Sequence, residues 1–342
     1  MIWLEFAASS LLLVLIATRL ARYGDVISVR TGLGAAFVGM LLLAGATSLP
    51  ELLTGINAIQ QDEPGLTVGN IFGSNMFNIF LLALMDLLYR RLHVLRHIAV
   101  SHALTASMAL ILNALAVFFI LAQFDWQIGW MGVDSLVLIV VYGVGTRVIY
   151  GDNSDDQPAD AAPTPEELEG VPSLTQAVLG FILATLALIV VTPFLVESAI
   201  GVAEASGLST GFVGLALVAI VTSLPEVVTT IASVRIGAYD LAAGNLFGSN
   251  LFNIFTLGLI DLFFTDGRFL AAVSADLTLA GVIALVLTNL ALIGILARNL
   301  AWGETRRLIV ELDALLILIG YLLGMWVLYT RGVIGGSPRL PV

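Results

Sequence analysis

The sequence predicts an all-α integral membrane protein: ten transmembrane helices arranged as two inverted five-helix repeats. Three observations predict it. The 342-residue chain is 59% hydrophobic and only 11% charged, with mean hydropathy +1.02, a balance outside the range of soluble domains. Apolar runs of roughly 18 or more residues recur along it, each long enough for a helical span. Two of those runs, "ATSLPELLTGINAI" (46–59) and "VTSLPEVVTTIASV" (221–234), set a proline and a glutamate side by side. Proline breaks a helix ladder and a carboxylate is costly in hydrocarbon, so the recurrence needs a reason.

The spans fall near 3–20, 31–59, 66–88, 97–122, 128–149, 174–197, 210–235, 241–264, 269–297 and 309–330. The N-terminal stretch "MIWLEFAASSLLLVLIATRLARYGD" has no basic region before its apolar run, and its arginines follow that run. It therefore reads as a first transmembrane helix with its N-terminus outside, not as a cleaved signal. Short alternating segments are absent, which argues against an outer-membrane barrel. The chain has no cysteine, so disulfides, thiolate metal sites and cysteine nucleophiles are excluded. All 14 basic residues are arginine, and a net charge of −11 argues against nucleic-acid binding. No cofactor is expected; the partners implied are the lipid bilayer and inorganic cations.

Between the fifth and sixth spans lies "GDNSDDQPADAAPTPEELEGVPS", polar and proline-bearing. It reads as a solvated linker, residues 151–173, between repeats at 1–150 and 174–342. Its seven acidic residues do not form an EF-hand: a loop starting at Asp152 puts Gln157 where glycine is needed and Pro163 where the bidentate glutamate belongs.

The two halves repeat at an offset of 175 residues. "TGLGAAFVG" (31–39) matches "SGLSTGFVG" (206–214), "TSLPE" (47–51) matches "TSLPE" (222–226), and "GNIFGSNMFNIF" (69–80) matches "GNLFGSNLFNIF" (244–255). Between 44–86 and 219–261, 22 of 43 positions are identical, which marks a duplication. An odd number of spans per half puts the second copy upside down in the membrane. The arginines agree. With the N-terminus outside, eleven lie on the inner side (Arg19, Arg22, Arg30, Arg90, Arg91, Arg96, Arg147, Arg235, Arg298, Arg306, Arg307) and three outside (Arg268, Arg331, Arg339). Both termini are then expected outside and the linker in the cytoplasm.

Ala44, Thr47, Ser48 and Glu51 follow i, i+3, i+4, i+7 spacing and share one helix face. Pro50 has no N–H, so the Ala46 carbonyl loses its partner. A carboxylate, two hydroxyls and loose carbonyls form a hard-oxygen cluster suited to Ca²⁺, Na⁺ or Mg²⁺. The second copy supplies Ala219, Thr222, Ser223, Pro225 and Glu226. Ser74 and Asn78, like Ser249 and Asn253, lie four apart and can add oxygens. Asn70, Asn75, Asn245 and Asn250 are expected to brace helix breaks by bonding to backbone. Glu5, Asp86, Asp134, Asp261, Asp276, Glu311 and Asp313 fall near span ends and read as interfacial. His93, His97 and His102 cluster at the inner ends of the third and fourth spans, without a nearby carboxylate to complete a metal site.

The paired "TSLPE" and "GNxFGSNxFNI" blocks resemble the two alpha-repeats of the calcium/cation antiporter superfamily, in its sodium/calcium exchanger branch. The resemblance covers nearly the whole chain except the linker. It implies a ten-helix fold in which helices 2, 3, 7 and 8 bind ions while helices 1 and 6 slide across them. It implies that Glu51 and Glu226 coordinate Ca²⁺, and that Thr47, Ser48, Thr222 and Ser223 help bind Ca²⁺ and Na⁺. Ser74, Asn78, Ser249 and Asn253 would complete the Na⁺ sites, with the backbone carbonyls of Ala44 and Ala219. Some microbial members carry aspartate where this chain has Asn253, so the core here keeps two carboxylates. The expected function is secondary antiport at the cell membrane, exporting Ca²⁺ for Na⁺. Ca²⁺/H⁺ antiport, with the two glutamates as proton carriers, is the alternative. A cation channel is the alternative of another class, although channel filters are usually rings around a symmetric pore. An enzyme is not expected: no nucleophile–base pair or HExxH motif is present.

Overall fold

The computed structural model describes residues 1–31, 44–89, 98, 101–151, 172–235, 237, 239–300 and 305–334. The histidines at 93 and 97 and nearly all of the acidic linker lie outside the described residues. The described chain is helical almost throughout. Its helices are α1 (Ile2–Thr31), α2 (Leu49–Gln60), α3 (Pro64–Leu88), α4 (Ser101–Ala122), α5 (Val133–Gly151), α6 (Leu174–Ser206), α7 (Thr210–Thr222), α8 (Leu224–Arg235), α9 (Tyr239–Ile260), α10 (Thr278–Leu300) and α11 (Thr305–Ile334). By length and composition, seven described helices can cross a membrane, and α7 with α8, bent by 43° at their junction, form an eighth. With α2 and α5 these make the ten-helix plan. The first half of the second span, residues 32–43, lies outside the described residues. Large apolar side chains such as Leu183, Val190, Phe194, Leu322 and Trp326 are exposed on α6 and α11, as a lipid-facing surface requires.

Four boundaries differ most from the sequence expectation: α1 and α6 run on to Thr31 and Ser206, past the expected ends at 20 and 197, and two spans start late. The fifth span begins at Val133, not 128, because Gln127–Ile128 pairs antiparallel with Met131–Gly132 in a hairpin turned by Gly129 at φ 68°. The ninth begins at Thr278, not 269; Ser274 accepts from the Asp276 N–H and opens a short 3₁₀ turn ahead of it.

α1 and α6 pack antiparallel over their length. Ser9 faces Ser198, with the two hydroxyls 3.4 Å apart. A β-carbon at Gly201 would meet Ile2, and one at Gly180 would strike the Tyr23 ring. The 33-residue α6 is capped at its start by a reciprocal Ser173–Gln176 pair and ends at Gly207, φ 70°. This pair has its own apolar core, which reaches Ala46, Ala58, Val213 and Val218 of the second and seventh spans. A larger core joins α3, α4, α5, α9, α10 and α11. The broken second and seventh spans stand between the two cores.

The glycine-rich α3 crosses α7 at close range. A β-carbon at Gly69 would collide with the Gly211 carbonyl, and one at Gly73 would come within 2.7 Å of the Ala219 side chain. α3 and α9 are each backed by a tyrosine from the far half. Phe80 stacks on Tyr321 of α11 at 4.5 Å, and Phe255 on Tyr142 of α5 at 4.2 Å. α3, α7 and α10 all start at one face, where Glu63 accepts from Thr210 and Gly65 lies against Leu277.

Several acidic residues expected at the interface are enclosed by protein. Asp261 is fully buried, and its carboxylate accepts from the N–H groups of Gly132 at 2.8 Å and Phe269 at 3.0 Å. Asp134 is buried beside it and accepts from the Ser135 N–H at 2.9 Å. Asp261 caps backbone that folds over the helix ends and Asp134 caps the first turn of α5, which makes their burial tolerable. Asp86 and Asp313 are also buried, whereas Glu5 and Asp276 are exposed as expected. The side chain at 311 lies outside the described residues.

Candidate cation-binding site

Both proline motifs fold the same way. The helix breaks at a serine: Ser48 has φ −91°, ψ 5°, and Ser223 has φ −87°, ψ 5°. Pro50 and Pro225 are then the second residues of α2 and α8. In a first turn a missing N–H costs little. The break also places Glu51 and Glu226 in the first turn of a fresh helix, at the positive end of its dipole. The ladder resumes at once, with Leu52 N–H to Ser48 O at 3.2 Å and Val227 N–H to Ser223 O at 3.2 Å. α7 carries a π-helical turn, Gly214–Val218, just before its break, a distortion that frees further carbonyls.

The structure brings the predicted residues of both halves together. Thr47, Ser48, Glu51, Ser74, Asn78, Ala219, Thr222, Ser223, Glu226, Ser249 and Asn253 are all at 0% exposure, and Ala44 is at 3%. The carboxylates are bonded crosswise. Ser223 donates to Glu51 Oε1 at 3.2 Å, joined by Ser74 at 3.4 Å, and Ser48 donates to Glu226 Oε1 at 3.4 Å. Thr47 and Ser249 hydroxyls lie 3.3 Å apart. The Ala44 carbonyl accepts from Ser48 N–H and the Thr47 hydroxyl. That of Ala219 accepts from Ser223 N–H and from the Thr222 and Ser74 hydroxyls.

Four acceptors of this cluster are left over. Glu51 Oε2, Glu226 Oε2, Asn78 Oδ1 and Asn253 Oδ1 are buried without a hydrogen-bond partner. All four are acceptors, and buried acceptors without donors are expensive. No arginine occurs in residues 44–86 or 206–234, or along α9, so these segments hold no fixed positive charge to offset the two glutamates. Among the described residues no three His, Cys, Asp or Glu side chains are grouped. Two carboxylates, four Ser/Thr hydroxyls on the broken spans and amide oxygens form a hard-oxygen set that fits a Ca²⁺ or Na⁺ ion as cargo.

The four remaining asparagines correct the sequence reading in part. Asn75 and Asn250 bond to backbone, but across the α3–α9 interface to each other's carbonyls, at 3.4 and 3.2 Å. Asn70 and Asn245 bond to hydroxyls: Asn70 Oδ1 accepts from Thr222 at 3.0 Å, and Asn245 Nδ2 donates to Thr229 at 2.9 Å. Thr54 and Thr230, one turn past the glutamates on the same faces, hold buried hydroxyls without partners. Spacing from Glu51 and Glu226 alone could have found them. His102 lies 3.3 Å from Asp240 of α9, a carboxylate too distant in sequence to be paired with it by spacing.

Comparison with known proteins places this arrangement. The profile described as "Sodium/calcium exchanger protein" matches residues 1–151 and 176–330. The chain belongs to the sodium/calcium exchanger family. Inner membrane protein YrbG of Escherichia coli K12 is 32% identical over 253 residues, covering 73% of this chain and 76% of that one. Sodium/calcium exchanger MaX1 of Methanosarcina acetivorans is 28% identical over 280 residues, covering 70% of this chain and 76% of its own. The crystal structure of the H⁺/Ca²⁺ exchanger CAX shares the fold, with TM-score 0.65 and 12% identity over 98% of this chain and 89% of that one. Membership in the exchanger family makes this chain a multi-pass membrane transporter of the Na⁺/Ca²⁺ or Ca²⁺/H⁺ exchanger type. The matched residues include every member of the oxygen cluster.

Proposed function

We propose that this exchanger exports Ca²⁺ in return for Na⁺ by alternating access. Its ion ligands are Glu51, Glu226, Thr47, Ser48, Thr222, Ser223, Ser74, Asn78, Ser249 and Asn253, with the Ala44 and Ala219 carbonyls. The observation that carries this reading is the pair of fully buried carboxylates, each with one oxygen lacking a donor and no basic side chain in the segments around it. In hydrocarbon such a pair requires a mobile cation. Sodium as the counter-ion is supported by the name of MaX1, a sodium/calcium exchanger at 28% identity. The eleven-to-three arginine asymmetry supports a cell-membrane protein with both termini outside and the acidic linker in the cytoplasm. The repeats at 1–150 and 174–342 are the two units of the exchange cycle.

Ca²⁺/H⁺ exchange is the second reading, favoured by charge: two carboxylates balance one Ca²⁺ or two H⁺, with neither in excess. The test is uptake of radiolabelled Ca²⁺ into proteoliposomes loaded with Na⁺, repeated with a pH gradient and no Na⁺. Uptake that needs internal Na⁺ is the expected result. Uptake driven by the pH gradient alone would replace Na⁺ with H⁺. Uptake indifferent to both gradients would make the protein a channel.

A further inference from the structure

Beside the carboxylates, four asparagines close a ring across the α3–α9 interface. Asn78 Nδ2 donates to Asn250 Oδ1 at 2.9 Å, and Asn253 Nδ2 donates to Asn75 Oδ1 at 3.0 Å. Asn75 and Asn250 in turn donate to each other's backbone carbonyls. All four side chains are at 3% exposure or less. The ring uses both ends of Asn75 and Asn250 but only the nitrogen ends of Asn78 and Asn253. The oxygens of those two stay buried and unpartnered.

A carboxamide is ambiguous as a cation ligand. Its oxygen attracts a cation and its NH₂ repels one, and a half-turn about the last side-chain bond exchanges them. We propose that Asn75 and Asn250 are positioning residues: by accepting the NH₂ groups of Asn253 and Asn78, they hold both amide oxygens free for the cation. The inference rests on the cation-exchange reading of the site. Two features support it over simple helix glue. The two orphaned oxygens sit four residues on from Ser74 and Ser249, hydroxyls that reach Glu51 and Thr47, so they share the helix faces of the carboxylate site. The ring also obeys the inverted repeat, each half supplying one ligand and the brace for the other half's ligand. Orientation of a ligand by a second residue is a general requirement of ion sites.

The test uses the full chain in proteoliposomes, measuring Ca²⁺ uptake against Ca²⁺ concentration for Asn75→Leu, Asn75→Asp, Asn250→Leu and Asn250→Asp. Aspartate keeps the acceptor, loses the donor and adds a carboxylate charge that a nearby cation favours; leucine loses donor and acceptor. The expected result is a rise of about tenfold or more in half-saturating Ca²⁺ for the leucine variants, with maximal rate nearly unchanged and half-saturation for aspartate at or below that of the parent. A purely structural brace would lower maximal rate and yield without moving half-saturation, and aspartate would then be as harmful as leucine; either pattern overturns the proposal. If leucine prevents folding, Asn75→Ala and Asn250→Ala, read as the Ca²⁺-induced shift of the thermal midpoint, carry the same expectation. Glu51→Gln and Glu226→Gln run alongside. If they bind Ca²⁺ as the parent does, the site reading itself fails. If they lose Ca²⁺ while the Asn75 and Asn250 variants match the parent, only the amide proposal falls.

Discussion

Ser223 of the second half donates to Glu51 of the first, and Ser48 of the first donates to Glu226 of the second, at 3.2 and 3.4 Å. One helical turn away the match ends. Thr222 reaches Asn70 at 3.0 Å, but its counterpart Thr47 turns to Ser249 at 3.3 Å, and Asn245 bonds Thr229 instead. So the halves agree where charge is handled and differ where the helices meet their neighbours. A transporter built from inverted repeats needs the first property. The carboxylates must present the same chemistry whichever way the site opens, so their bonds are interchangeable. With both glutamates at 0% exposure, the symmetric part is closed to both faces.

The largest expected effect tests the symmetric part. Glu51→Gln and Glu226→Gln each remove one of the two core charges. Ca²⁺ exchange should be abolished in both, to the same degree, with folded yield close to the parent. Transport at the parental rate in either would remove that residue from the site. A large effect at one glutamate only would show that the crosswise bonds do not make the pair equivalent.

The comparison also shows which parts were readable in advance. The glutamates, hydroxyls and glycines stand out because hydrocarbon makes each costly or pointless without a reason, and the duplication states that reason twice. Partner choice is different. Asn70 and Asn245 occupy matching positions, and only the fold decides that one meets Thr222 across the interface and the other Thr229 within its own half. The aspartates at span ends were misplaced for a related reason. Position near a span end does not reveal whether a loop will fold back, as the Gln127–Gly132 hairpin does over Asp261. That hairpin was hidden by its own apolar residues, which extend the hydrophobic run of the fifth span. The break at Ser48 and Ser223, rather than at the prolines, follows from proline's preference for a first turn.

A middle-sized effect addresses the asymmetric part. Thr222→Val takes the donor from Asn70 Oδ1, whose amide nitrogen is already without a partner. That leaves a buried carboxamide with no hydrogen bond at all, at a cost of about 1–3 kcal/mol. Thr47→Val removes a hydroxyl from the Ala44 carbonyl and Ser249, which keep the Ser48 N–H and Glu226 as partners. Half-saturating Ca²⁺ and the thermal midpoint should therefore move further for Thr222→Val than for Thr47→Val, by about tenfold against about threefold in affinity. Equal losses would mean that the asymmetry has no energetic weight.

The smallest effect returns to the serines. Ser48→Ala and Ser223→Ala each delete one interhelical hydroxyl bond to a carboxylate. Such bonds inside membrane proteins average about 0.6 kcal/mol, roughly threefold in affinity. Neither carboxylate depends on one serine: Ser223 shares Glu51 with Ser74, and Glu226 receives the Thr47 and Ser249 hydroxyls besides Ser48. Ser48→Ala and Ser223→Ala should accordingly cost about the same, and Ser74→Ala combined with Ser223→Ala should exceed either alone. Ca²⁺ titrations of the three variants check the order. A clearly larger loss from one single variant than from the other would mean that the two carboxylates are not equivalent.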